Sequence, residues 1–260
     1  MSALTTHSKF YYGIEIEETS KYLDFDEGGG ELTATLDVKV YSLEEIRAAV
    51  EAALNEAGAL TYTVSMDRET RKMTINASAS VDLLASSGSN AGFGAWSVIG
   101  FNPADVLSTT SAEGDSAIGS EYTPQFILQN YVPKEKNRRL LNSTVSRSAS
   151  GANVTVQSFG EERFIKFNIQ YITDIEQPPG QRLRSSHTGV DDALAFLEFI
   201  TRKEHFEFMP DENDPDTFTT VLIESLANDR DGTSFELKEY YDRGLPFYFE
   251  TGLIVLKALD

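Results

Sequence analysis

Between residues 42 and 101 the spacing of apolar side chains changes period, and each change marks an element. Leu43, Ile46, Val50, Ala53, Leu54 and Ala57 recur every three or four residues, with Glu44, Arg47, Glu51 and Glu56 mostly off that stripe. This predicts an amphipathic helix over 43–57. Ser42 and Glu45 have capping-box spacing, in which the serine oxygen takes the third helical N–H and the glutamate reaches back to the cap. Gly58 is the expected stop, as a residue that turns left-handed without strain. The period then becomes two. Tyr62, Val64 and Met66 alternate with Thr61, Thr63 and Ser65, and Met73, Ile75 and Ala77 alternate beyond a polar turn at 67–70, which predicts a hairpin over 60–79.

Upstream, Phe10, Tyr12, Ile14 and Ile16 alternate as a first strand, and Leu32, Ala34, Leu36, Val38 and Val40 resume the alternation after an acidic turn with Gly28, Gly29 and Gly30. The order strand, strand, helix, strand, strand predicts a ββαββ module in which one sheet is covered on one face by the helix. After the hairpin, Ser86-Ser87-Gly88-Ser89-Asn90-Ala91-Gly92-Phe93-Gly94 is a run of small residues leading to a short helix at Ala95, and Trp96 is read as a core or subunit-interface residue. Residues 102–123 read as a long polar loop, ordered by a partner.

Pro124 and Pro133 punctuate a boundary within 122–142, and Lys134, Lys136, Arg138 and Arg139 form the densest basic cluster, either an exposed linker or a surface for an acidic neighbour. Beyond it, Val154 and Val156 precede a turn at 160–162 and a long strand with Phe164, Ile165, Phe167, Ile169, Tyr171 and Ile172. Thr188 with Asp191 suggests a cap for a helix of about 190–203 striped by Val190, Ala193, Leu194, Leu197 and Ile200. Phe206, Phe208 and Met209 follow, then an acidic loop at 211–216, a strand with Phe218, Val221 and Ile223, and another opened by Phe235 and Leu237. An apolar terminal strand over 246–259 is expected well inside its sheet. The fold class is therefore α+β in two domains: 1–130 as the ββαββ sheet-plus-helix module, 131–260 as a mainly antiparallel β domain with one helix.

Charge narrows the partners. Of 260 residues 41 are acidic, the formal charge is −19, and residues 1–130 hold 7 basic against 19 acidic side chains. That balance argues against gripping a nucleic acid or an anionic membrane; it fits either a solvated acidic surface or a basic partner. No run nears the roughly 20 apolar residues of a membrane span, and the N-terminus has no secretion signal, so synthesis in the cytoplasm and no membrane insertion are expected. Without cysteine there are no disulfides, thiolate metal sites or cysteine nucleophiles, and without a secretion signal the Asn76, Asn142 and Asn153 sequons carry no meaning.

Chemistry is not expected. The small-residue loop lacks the lysine of a phosphate loop and the dinucleotide glycine spacing. His7, His187 and His205 are not spaced as metal ligands, His205 reads as packed or helix-terminal, and no serine sits in a nucleophile elbow. Calcium is the least unfavourable metal, but 211–216 and 229–232 carry only fragments of a calcium loop and read as solvated turns. No catalytic, cofactor-binding or metal residue, and no cofactor, is assigned.

The run Ala53-Leu54-Asn55, Tyr62-Thr63-Val64-Ser65, the turn at 67–71, Met73-Thr74-Ile75, Leu83-Leu84, Ser87-Gly88-Ser89-Asn90 and Ile99-Gly100-Phe101 resembles a module of tailed-bacteriophage virion proteins, particularly tail and tail-tip proteins, over 42–123. The second half resembles a tail-tube-like or distal-tail β domain. The resemblance implies a structural, non-enzymatic distal-tail or baseplate protein of the virion. It would form a ring of its own copies that joins tail tube to hub or fibres. A carbohydrate- or receptor-binding fibre module, or a cell-wall glycan hydrolase, is the alternative.

Overall fold

A computed structural model describes residues 8–124, 126–129, 138–140, 144–147, 153–157, 161–170, 172–173, 189–211, 213–214, 216–226, 237–242 and 245–259. The chain runs β1 (Lys9–Tyr12), β2 (Ile14–Ile16), β3 (Tyr22–Asp26), β4 (Glu31–Thr35), β5 (Lys39–Tyr41), α1 (Leu43–Ala57), β6 (Tyr62–Asp67), β7 (Lys72–Leu83), β8 (Val106–Glu113) and β9 (Ser120–Tyr122). It continues through β10 (Phe126–Gln129), β11 (Arg138–Leu140), β12 (Thr144–Arg147), β13 (Asn153–Gln157), β14 (Glu161–Gln170), α2 (Val190–Thr201), β15 (Phe206–Met209), β16 (Thr219–Leu226), β17 (Lys238–Asp242), β18 (Leu245–Glu250) and β19 (Leu253–Ala258). The protein is α+β, mostly antiparallel sheet with two α-helices among the described residues, none long and apolar enough to cross a membrane.

The chain gathers into two compact units, Met1–Tyr122 with Glu204–Phe218, and Thr123–Lys203 with Thr219–Asp260. The division departs from a single cut at residue 130, because a strand from late in the chain belongs to the first unit.

In the first unit α1 spans the predicted residues. The Ser42 hydroxyl accepts from the Glu45 amide and the Glu45 carboxylate accepts from the Ser42 amide, so both halves of the capping box are made. Leu43, Ile46, Val50 and Leu54 are buried completely, each contributing on the order of 1.5–3 kcal/mol. Gly58 ends the helix in extended backbone (φ −99°), not the left-handed turn expected. Glycine is needed there for space: a Cβ would lie 3.1 Å from the Leu54 carbonyl oxygen, 3.0 Å from the Tyr62 ring and against Glu27 Oε1.

The predicted single four-stranded sheet is replaced by smaller sheets. Gly13 (φ 75°) breaks the first strand into β1 and β2, and β2 pairs with β5 while β1 pairs with β9 and β15. The five-stranded sheet runs β4-β3-β7-β6, with β8 against β7. β3, which the acidic turn conceals in the sequence, forms the hairpin with β4. Half of the expected loop 102–123 is strand: β8 pairs with β7 from Thr74↔Glu113 to Leu83↔Val106 and β9 pairs with β1, so the chain itself orders it. The β6–β7 hairpin forms as predicted, with β7 extended to Leu83. The free edge of β6 is met by α1: Asn55 donates to the Tyr62 carbonyl and accepts from the Tyr62 amide (both 2.9 Å), Glu51 accepts from the Val64 amide (2.8 Å), and Arg47 donates to the Val64 carbonyl (3.0 Å). Residues at i, i+4 and i+8 on the helix thus close a sheet edge that would otherwise be open to pairing.

In the second unit β19 lies between β14 and β16, as expected of an apolar terminal strand, but Thr251 and Gly252 (φ 71°) break the predicted strand and leave β18 paired with β17. Ile165, Phe167 and Ile169 of β14, with Ile254 and Leu256 of β19, are buried. α2 starts at Gly189 with no side-chain cap, rather than from Thr188, and buries Phe196 while Leu194 is 37 % exposed.

Candidate functional site

The small-residue run does present backbone amides in the manner of an anion-binding loop, but the chain's own carboxylates take them. The Ser86 and Ser87 amides donate to Asp105 Oδ1 (2.7 and 3.1 Å), the Ser89 amide and hydroxyl to Glu31 Oε1 (both 2.6 Å), and the Asn90 amide to Asp24 Oδ2 (2.7 Å). Asp24 also receives the Thr33 hydroxyl (2.7 Å) and Asn90 Nδ2 (2.9 Å) on Oδ1. Gly88 is required by this approach, since its Cβ would come within 2.8 Å of Asp24 Cγ. Hydrogen bonds from Ser87 and then Ser86 hold the Asp105 carboxyl down at about 2. The short helix expected at Ala95 does not form there: a single 3-10 turn spans Ala91–Phe93, and residues 96–100 are turns. Trp96 is a core residue, 2 % exposed and edge-on to Phe101 at 5.5 Å.

The same use of carboxylates recurs through the first unit. Glu27 accepts the Ala59 and Leu60 amides and the Tyr62 hydroxyl, Asp26 accepts Gly28 and Gly30, Asp82 accepts Ser108, and Asp115 accepts Asn102. Much of the acidic composition is therefore spent on backbone donors that lie outside the sheet ladders.

A second cluster sits where β15 lies beside β1, with Tyr11 and Glu207 paired in register. Glu207 is completely buried, and neither carboxylate oxygen has a hydrogen-bond partner. Its nearest cation is Arg68, whose Nε is 3.5 Å from Oε2. Arg68 Nη2 donates to Glu44 (2.9 Å), its Nε makes no hydrogen bond, and the guanidinium lies 3.3 Å from the centre of the Phe218 ring, while its carbonyl accepts the Tyr11 hydroxyl (3.0 Å). Burial pushes the Glu207 carboxyl up to about 7, with Arg68 opposing. Burial and then Glu121 push the Tyr11 hydroxyl up as well. Burial works against Glu44 too, but Arg47 and Arg68 hold its carboxyl below the ordinary range.

Other residues singled out in the sequence are scattered. His205 places Nδ1 2.9 Å from Glu45 Oε1, against the capping box of α1. In the 211–216 loop Asp211 accepts the Asn213 amide in an Asx turn. Among the described residues no group of three or more histidine and carboxylate side chains is arranged to hold a metal. His7, His187, Lys134, Lys136 and 229–232 lie outside the described residues; Arg138 and Arg139 stand on β11, beside β14. Sequence reasoning missed Glu207. Its signal is an acid inside the run Phe206-Glu207-Phe208-Met209, every residue of which is buried.

No protein-family model matches the chain, and a search of curated proteins found none that matches.

Proposed function

We propose that the protein is a non-enzymatic structural component of a long-tailed bacteriophage particle, a distal-tail or baseplate protein that forms a ring of its own copies between tail tube and hub or fibres. The finer fold reading belongs with it: an N-terminal sheet-plus-helix attachment module and a tail-tube-like C-terminal β domain. What carries the reading is the character of the landmarks behind the resemblance. Leu54, Tyr62, Val64, Met73, Ile75, Leu83, Ile99 and Phe101 are all buried core positions, so the likeness is one of scaffold and not of a reactive site. The loops beside that scaffold are tied down by internal carboxylates, which suits a rigid subunit whose work is association.

Rings close through heterologous contacts, and complementarity between the acidic first half and the 134–139 basic cluster would set register. Negative-stain images of the purified chain are expected to show rings of constant symmetry. Reversing Lys134, Lys136, Arg138 and Arg139 to glutamate is expected to reduce the assembled mass in light scattering. A monomer at all concentrations would end the ring reading, and unchanged assembly in the reversal variant would remove the cluster from it.

A further inference from the structure

We propose that Glu207 is a proton-operated latch: with its carboxyl neutral, the Glu204–Phe218 segment stays closed on β1 and the 67–71 turn, and loss of the proton loosens it. The inference is independent of the phage reading and rests on how this corner of the first unit is built.

The segment is fastened at several points. Phe208 pairs with Phe10 and Glu207 with Tyr11 in the β1–β15 ladder, Phe218 receives the Arg68 guanidinium, and the Ser8 hydroxyl donates to the Pro210 carbonyl (2.9 Å). Glu207 lies at the centre of these contacts. The groups that face it are Tyr11 from β1, Arg68 from the 67–71 turn and Glu44 from α1; Arg71 and Glu121 act on it only at one remove, through Tyr11. Arg68 faces both carboxylates but makes its hydrogen bond to Glu44, which Arg47 also pairs. With Glu207 protonated, the Arg68–Glu44 pair is balanced and a neutral carboxyl is buried. With Glu207 ionised, a fully buried carboxylate has no hydrogen bond and only Arg68 Nε, 3.5 Å away, as its nearest cation. The charge can be solvated only if β15 moves, so proton loss and segment opening are coupled.

The test is hydrogen exchange of the full chain, read as protection factors for peptides covering 206–209 at pH 5.5 and 8.5. A carboxyl that titrates at 4.5 when solvated and at about 7 when closed gives a wild-type loss of protection of roughly 30-fold across that interval. Glu207→Gln is expected to lose less than about threefold. His205 lies two residues before Glu207 and pairs with Glu45, so His205→Asn is the control, and it is expected to keep the wild-type loss. A flat wild-type profile, a wild-type loss in Glu207→Gln, or its disappearance in His205→Asn would overturn the latch. If the glutamine chain does not fold, the wild-type profile still decides, because the loss must begin above pH 4.5 and level off near pH 8; protection that keeps falling beyond that point belongs to another group.

Discussion

Asp24 and Glu207 are both carboxylates inside the first unit, 2 % and 0 % exposed, yet the fold treats them in opposite ways. Asp24 sits on β3 where the chain turns back after β7, and that turn brings it the Asn90 amide, the Asn90 side chain and the Thr33 hydroxyl. Glu207 sits in mid-strand, where the neighbouring amides are occupied in the ladder with β1 and the nearest cation, Arg68, gives its hydrogen bond to Glu44 and leaves Nε 3.5 Å from Oε2. Equal burial therefore carries no fixed meaning for an acid. What decides is whether the surrounding chain has donors to spare, and in this molecule irregular loops have them while a strand interior does not.

The sharpest way to break that contrast is to remove the satisfied acid. Asp24→Ala strips the acceptor from three donors, two of them on the loop that closes the sheet, and is expected to cost about 3–5 kcal/mol in urea unfolding. A loss below about 1 kcal/mol would mean that water replaces the carboxylate readily, and Asp24 would then not differ from a surface acid.

Glu207→Gln should act in the other direction. A folded-state carboxyl raised from 4.5 to about 7 favours the native state at low pH, and that advantage is lost as pH rises between those values. At pH 8 the amide variant should thus be the more stable chain, by about 1–3 kcal/mol, and at pH 4 it should have no advantage. Denaturation midpoints that shift equally at both pH values would show that the side-chain change, not its charge, is responsible.

How much of this could be read in advance follows from the same distinction between local and distant donors. The α1 stripe, its Ser42–Glu45 cap and the β6–β7 hairpin are legible because each is specified within a few residues. The Asx turns at Asp26 and Asp67 are of that local kind, with amides two to four residues ahead as their donors. β8 hides behind serine and threonine, which read as loop until β7 is seen to pair with it, and β15 is invisible as part of the first unit because its partner β1 lies almost 200 residues earlier. Neither side of the Asp24–Glu207 contrast is legible for that reason: the Asn90 donor is 66 residues from Asp24, and Arg68 is far from Glu207 in the chain. A strand with period two would place Glu207 outward between two buried phenylalanines, and only the covering of both faces of β15 buries it.

The smallest effect is expected where the carboxylate is satisfied but accessible. Asp105 accepts the Ser86 and Ser87 amides from the far end of the same loop that Asp24 holds, but it is close to solvent. Its folded-state carboxyl is held at about 2 against an ordinary 3.8, so its contribution is present above 3.8 and is lost as pH falls through that interval. Solvent screening reduces what the shift is worth, and Asp105→Asn is expected to cost only ~0.5–1 kcal/mol at pH 7. Near pH 2 the variant and wild type should unfold alike. A cost at pH 7 as large as that of Asp24→Ala would mean that the loop depends on its charge network as a whole and that burial does not rank its members; a cost near zero leaves Asp24 as the residue that fastens the loop to the sheet.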